Sequence, residues 1–199
     1  QRQMCIRDRP YQERLLRSGR ELANRLHESE IHWWDRQLME YQGLPVWHDF
    51  PKMWEDDLVR RGLKPADFPF WLISTKSMQY HSGGNVAIQL MDEVSGNLRT
   101  HRVVVLNASV AEEMGIEEGD ELEVTSAIGT TCGPAMPVQG VRPDTLVIVG
   151  QFDHWATPYA KDMKAPSLNT IAPMTLELTD ATGSGADVVR VALRKVERR

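Results

Sequence analysis

The sequence predicts a mainly β domain with helices, preceded by a helical N-terminal extension. Three observations carry that expectation. From Val103 to Gly129 the chain reads VVVLNASVAEEMGIEEGDELEVTSAIG, a strand, a short helix, a tight turn and a second strand in quick succession. Further short β-branched runs, Leu146–Val149 and Val188–Val196, lie beyond it between glycine- and proline-containing turns. Before it, residues 11–41 carry apolar side chains at helical spacing.

In the central stretch, Val103, Val104 and Val105 are β-branched and suit a half-buried pleat. Asn107 or Ser109 can cap a helix by accepting from its free N–H groups. Val110, Ala111 and Met114 give that helix an apolar side, with Glu112 and Glu113 toward water. Gly115 stands where a helix ends in the left-handed region. Ile116 re-enters the core and Glu117-Glu118-Gly119-Asp120 makes a turn. Leu122, Val124 and Ser126 then alternate with Glu121, Glu123 and Thr125. Such a unit cannot bury its apolar face alone and must pair with other strands.

The chain has 199 residues, 41% hydrophobic and 26% charged, enough for one ordinary domain plus an extension. A net charge of -5 argues against a nucleic-acid-binding surface. No apolar run approaches the ~18 residues of a membrane span, and the N-terminus lacks the apolar run of a leader peptide. Cys5 and Cys132 form no Cys-x-x-Cys pair, so a disulfide framework, a zinc site and a four-cysteine cluster are unsupported.

Taken in order, the chain opens on Gln, so a longer parent is expected. Residues 1–10 read as an artefact or a disordered tail. Residues 11–67 form a connecting segment. Its helix over 11–41 has Leu15, Leu22 and Leu26 seven and four apart, with Gly19 weakening the middle. Aromatic Tyr41, Trp47, Phe50, Trp54, Phe68, Phe70 and Trp71 follow, broken by prolines, with a helical turn or two over Met53–Arg61. Large apolar groups in so little regular structure suggest packing against something else, either a neighbouring domain or the chain's own β domain. Residues 68–199 form the β domain. Phe70–Ser74 is its first strand and Thr75–Asn85 a polar loop. Val86–Met91 is a short helix or strand, and Asp92–Thr100 a polar turn. After the central stretch, Thr130–Val138 is an edge or bent strand, because Gly133-Pro134 and Pro137 interrupt it. Leu146–Val149 is a buried strand, Gly150–Ser167 a long loop, Asn169–Leu178 irregular, and Val188–Val196 the closing strand.

Three stretches can carry ligand chemistry. Ser74-Thr75-Lys76-Ser77 with His81-Ser82-Gly83-Gly84 is dense in hydroxyl and N–H donors. Either it cradles a pyrophosphate, with Lys76 as a point charge, or it is a solvated hairpin loop. Gly150-Gln151-Phe152-Asp153-His154-Trp155 follows a buried strand. A His beside a Trp there is more often a structural hydrogen-bonder than a general base. Asn169 offers two donors and an acceptor, which suits a heterocycle edge. Asp120, Glu121 and Glu123 alternate faces and make a poor acid/base pair. No triad assembles from Asp153, His154 and Cys132.

VVLNASVAEEMGIEEGDELEVTSAIGT resembles the core motif of the C-terminal domain of molybdopterin oxidoreductases of the dimethyl sulfoxide reductase family. The resemblance runs from about Phe68 to Val196. It implies a double-psi β-barrel, aspartate decarboxylase-like in fold, that helps hold molybdopterin guanine dinucleotide. It also implies that residues 11–67 connect a preceding α/β domain to the barrel. The family loop after the first strand, with a Thr-Gly-Arg type start and a later His-Ser pair, is kept here as Thr75, His81 and Ser82. Lys76-Ser77 stands in place of Gly-Arg. The family's glycine-aromatic-His type loop corresponds to Gly150–Trp155, bringing in Gln151 and His154. Its Asn-rich segment corresponds to Ser167–Thr170 and its Asp-Pro-x-Ser-Gly type turn to Asp180–Gly183, without the Pro and Ser. The Lys before the closing strand is absent, with Arg190 the nearest cation. The implied cofactor-binding set is therefore Ser74, Thr75, Lys76, Ser77, His81, Ser82, Gln151, His154 and Asn169, with no catalytic residue and no metal ligand in this chain. The molybdenum ligand and any iron–sulfur cluster are implied to lie in a part of the parent subunit that precedes it. Implied partners are the remaining domains of that catalytic subunit and an iron–sulfur electron-transfer subunit. The style is nearest to large anaerobic oxidoreductases acting on sulfur or arsenic oxyanions or an aryl-acetyl thioester.

Two rivals share the barrel. A self-processing pyruvoyl decarboxylase needs a Gly-Ser cleavage site near the barrel's start, whereas Gly183-Ser184 lies near the end. A ligand- or protein-binding adaptor barrel of the ATPase-linked kind would lack any redox role, and no P-loop accompanies this one.

Overall fold

The computed structural model describes the backbone at residues 2–39, 41, 47–77, 88–149, 165–173, 175, 177–178 and 188–196, and the side chains of these except 2–12 and 92. Within it the chain separates into two compact units, Gln1–Asp56 with Met174–Ala186, and Asp57–Pro173 with Asp187–Arg199.

The first unit is helical. Helix α1 spans Arg2–Glu28 and α2 spans Asp35–Leu38. The helix starts at Arg2 and so takes in residues 2–10. The expected stripe is also rotated. Leu15 and Leu22 are exposed, and the covered side runs through Leu16, Gly19 and Ala23. Gly19 explains the rotation, because a Cβ there would collide with the Tyr41 side chain. The glycine trades helix propensity for a close approach of an aromatic ring, a preference that apolar spacing does not register. Trp33 and Trp47 are exposed, at 59% and 81%, whereas Trp54 is buried at 1%. Trp54 lies on α3, Phe50–Arg60, which is longer than the turn or two its sequence suggests.

The second unit is a closed six-stranded barrel in the order β1-β5-β2-β4-β3-β6, formed by β1 (Phe70–Thr75), β2 (Val104–Asn107), β3 (Glu121–Thr125), β4 (Thr130–Val138), β5 (Thr145–Val149) and β6 (Val188–Lys195). Two neighbour pairs are parallel, β1 with β5 and β2 with β4, and the other four are antiparallel. This is the double-psi arrangement that the resemblance implies.

Alternation fills the barrel. Val104, Ile116, Leu122, Val124, Leu146, Ile148, Val189 and Val191 are all buried, none above 5%. Leu72 and Leu106 join them at 0%. A one-residue slip of any strand would turn its whole inward set to solvent, so the pattern fixes the register. Asn107 is the helix cap, its Oδ1 accepting from the Ser109 N–H at 2.9 Å at the start of α5 (Ala108–Glu113). Gly115 ends α5 at φ +64°, with the Ile116 N–H donating to the Ala111 carbonyl at 2.8 Å. That bond returns Ile116 to the core. Met114, expected on the apolar side, caps the helix and is 39% exposed.

Strand β4 is not an outer edge. It pairs with β3 through residues 130–134 and with β2 through residues 135–138. The handover falls at Pro134-Ala135, so each half of the strand has one ladder partner. A proline is compatible with that geometry, because only one side of the strand needs its donors there. The segment expected as a turn around residue 96 begins as helix α4, Gln89–Ser95.

Leu122 is fully enclosed between β4 and β6. Leu122→Ala is expected to destabilise the barrel by about 2–5 kcal/mol, read by denaturant unfolding, from lost burial plus the cavity left behind. The exposed Leu22→Ala should change stability by less than about 0.5 kcal/mol.

Candidate functional site

Barrel direction decides which loops meet. β1 and β5 run parallel with Thr75 opposite Val149, so the chain leaving at Lys76 and the chain leaving at residue 150 depart side by side. β4 runs parallel to β2 and opposite to β5, and β3 is antiparallel to β4. The β3–β4 turn at residues 126–129 therefore lies toward that same end of the barrel. So do the entries to β2 and β6.

The first loop begins from a fixed base. Ser74 is half-buried in β1, and the Thr75 hydroxyl donates weakly to the Ile148 carbonyl at 3.5 Å. Lys76 is exposed and Ser77 half-buried. His81, Ser82, Gln151 and His154 lie outside the described residues, as does the Asp180–Gly185 turn.

Asn169 sits on the turn of residues 168–171, where the Ile171 and Ala172 N–H groups donate to the Leu168 carbonyl at 3.0 and 2.8 Å. Leu168 and Ile171 are buried, while Asn169 and Thr170 between them are exposed. This is a tip held by two apolar anchors. The same segment is fastened to the barrel. The buried Ser167 N–H donates to the Thr131 hydroxyl at 2.8 Å. The Pro166 ring covers Gly133, where a Cβ would come to 3.1 Å of the ring. The Thr170 carbonyl lies where a Cβ on Gly129 would stand. Thr131, Gly129 and Gly133 thus position Asn169. The sequence reading had taken Gly133 only as a strand interruption. The clue available was a pair of glycines flanking the start of a strand, which often marks a close backbone approach.

The acidic residues at the barrel's other end are bound up in structure. Asp120 pairs with Lys195 at 2.6 Å and Glu123 with Arg194 at 2.7 Å. Asp120 also accepts from the Glu117 N–H at 2.7 Å, closing the turn. Arg190 lies over the Trp71 ring, 4.6 Å from its centroid. The Cys132 thiol is pushed up by partial burial and then by Glu121 and Glu123, which opposes thiolate chemistry. Among the described residues no helix is long and apolar enough to cross a membrane.

Residues 70–183 match the family described as molydopterin dinucleotide binding domain, and the chain belongs to that family. It is 29% identical over 143 residues to the molybdopterin-containing subunit ArrA of the arsenate respiratory reductase of Chrysiogenes arsenatis, covering 65% of this chain and 17% of that protein. It is 28% identical over 116 residues to the molybdopterin-containing subunit PhsA of the thiosulfate reductase of Salmonella typhimurium, covering 58% and 13%. The chain thus spans less than a fifth of either relative. Among solved structures it is similar in fold to acetylene hydratase from Pelobacter acetylenicus, with a TM-score of 0.57 and 12% identity over 81% of this chain and 22% of that one.

Thr131→Val keeps the shape of the side chain and removes the acceptor for the Ser167 N–H. A loss of about 1–3 kcal/mol is expected from that unsatisfied donor. Amide exchange should rise across residues 165–172 and stay unchanged in β1 and β5.

Proposed function

We propose that this chain binds and orients molybdopterin guanine dinucleotide as the C-terminal part of the catalytic subunit of a molybdenum-dependent oxidoreductase. The observation that carries the reading is that the β1 and β5 loops leave side by side at the same end of the barrel as the β3–β4 turn, to which the Asn169 tip is fastened. A dinucleotide is a long ligand with a charged middle and hydrogen-bonding ends. Several fixed contacts from separate loops are needed to orient it.

The residues fit that group chemically. Lys76 and the hydroxyls of Ser74, Thr75 and Ser77 match a pyrophosphate. Asn169 presents an amide to a guanine or pterin edge. His81, Ser82, Gln151 and His154 complete the proposed set on the strength of the resemblance. The bound group would supply the redox chemistry, and these side chains would supply binding and orientation. The preceding domains of the parent subunit, with any iron–sulfur cluster, and a separate iron–sulfur electron-transfer subunit are the proposed partners. Similarity to subunits of an arsenate and a thiosulfate reductase supports a parent that acts on an arsenic or sulfur oxyanion in anaerobic respiration. A purely adaptor barrel is disfavoured by this family membership.

Titration of the chain with guanosine diphosphate should show saturable binding that Lys76→Ala weakens and cytidine diphosphate does not reproduce. Equal response to both nucleotides would remove the guanine assignment. In the parent enzyme, Asn169→Ala should lower the molybdenum-pterin content while leaving substrate preference unchanged. Full cofactor content in that variant would contradict the role given to Asn169.

A further inference from the structure

In the helical unit, α1 ends in a turn that brings together side chains the proposed function does not use. The Glu30 N–H donates to the His27 carbonyl at 2.9 Å and the Ile31 N–H to the Leu26 carbonyl at 2.9 Å. These are the two bonds of a Schellman closure. Its left-handed position is Glu30, at φ +57°, where α5 and the end of α3 use Gly115 and Gly62. The closure folds the chain back, so that His32 returns over His27, with ring centroids 4.5 Å apart. Asp35, the first residue of α2, faces both rings. One carboxylate oxygen is 2.6 Å from His27 Nε2, and the other 3.5 Å from His32 Nδ1. One ligand atom from each of the three lies within 4.8 Å of the other two. Beside them is a surface cavity of about 370 Å³, lined by His27 and Asp35 with Leu16, Arg20, Met39 and Tyr41 among others.

We propose that His27, His32 and Asp35 form a binding site for a borderline divalent transition-metal ion of the zinc type, open on the cavity side. Two imidazole nitrogens and a carboxylate oxygen suit such an ion, whereas calcium and magnesium take oxygen ligands. Three protein ligands leave a fourth tetrahedral position for water or a small anion, and the cavity gives it room. Bonds of about 2.0–2.1 Å put tetrahedral ligand atoms about 3.3 Å apart. With Asp35 Oδ2 as the ligand atom, its 3.5 Å separation from His32 Nδ1 is near that value, and the hydrogen bond from His27 to the other oxygen, Oδ1, would give way to the bond from His27 Nε2 to the ion. The Schellman bonds fix the backbone between His27 and His32, so two of the three ligands are positioned before the ion arrives. The bound ion would fasten the end of α1 to the start of α2.

The test is a titration of the chelator-treated full chain with Co²⁺, followed by displacement with Zn²⁺, in the wild type, His32→Ala, Asp35→Asn and His48→Ala. All three side chains are exposed, so the variants should fold, and far-UV circular dichroism checks that they do. One ion per chain is expected, with the visible absorption of four-coordinate Co²⁺. His32→Ala and Asp35→Asn should each lower affinity by at least ~10-fold, since even outer partners of metal ligands are worth ~10–100-fold. His48→Ala should bind as the wild type does. Absence of uptake by the wild type, or unchanged affinity in a folded His32→Ala chain, would overturn the proposal.

Discussion

The parallel pairing of β1 with β5 is the constraint on which the rest depends. Parallel neighbours cannot be joined by a hairpin, so the chain must travel elsewhere between Thr75 and Thr145. In this protein it spends that journey on α4, β2, α5, β3 and β4, and the second parallel pair, β2 with β4, forms on the way. Closure then leaves no strand at the end of a sheet among the described residues. The same pairing sets two loop origins next to one another at one end. Loop placement and fold stability thus come from a single topological choice.

Charge is used differently at the two ends. At the end away from the loops, Asp120, Glu123, Arg194 and Lys195 tie β3 to β6 as exposed or partly exposed pairs. Such pairs contribute little individually. Lys195 also donates to the Gly115 carbonyl at 2.8 Å, so the closing strand holds the end of α5 as well. At the loop end, Lys76 is exposed beside hydroxyls. Under the proposed function, this division lets a chain of net charge -5 meet an anionic group locally.

Much of the barrel was legible in the sequence, because period-two burial is a local signal. Leu122, Val124, Val189 and Val191 alternate with polar neighbours, and that alternation alone places them inside. Asn107 and Gly115 were legible for a related reason, since a cap and a left-handed helix end each need a particular residue type. The features that were missed depend on partners distant in the chain. Pro134 looks like the mark of an edge or bent strand until β2 and β3 are seen to share β4 by halves. Gly19 looks like a weak point in a helix until Tyr41 packs on it. Of the site, the loop after β1 and Asn169 could be named from the family motif. The fastening of Asn169 through Thr131, Gly129 and Gly133 could not, because neither spacing nor composition links a strand start to a turn nearly forty residues later.

The central claim is that one end of this barrel, and not the other, holds the dinucleotide. Amide hydrogen exchange of the parent enzyme with and without its cofactor tests it directly. Binding at the shared exit predicts cofactor-dependent protection at residues 74–77, 150–154 and 167–171. It predicts no change at the Glu117–Asp120 turn or the last residues of β6. Protection at the turn and the end of β6, with none at the β1 and β5 exits, would contradict the account.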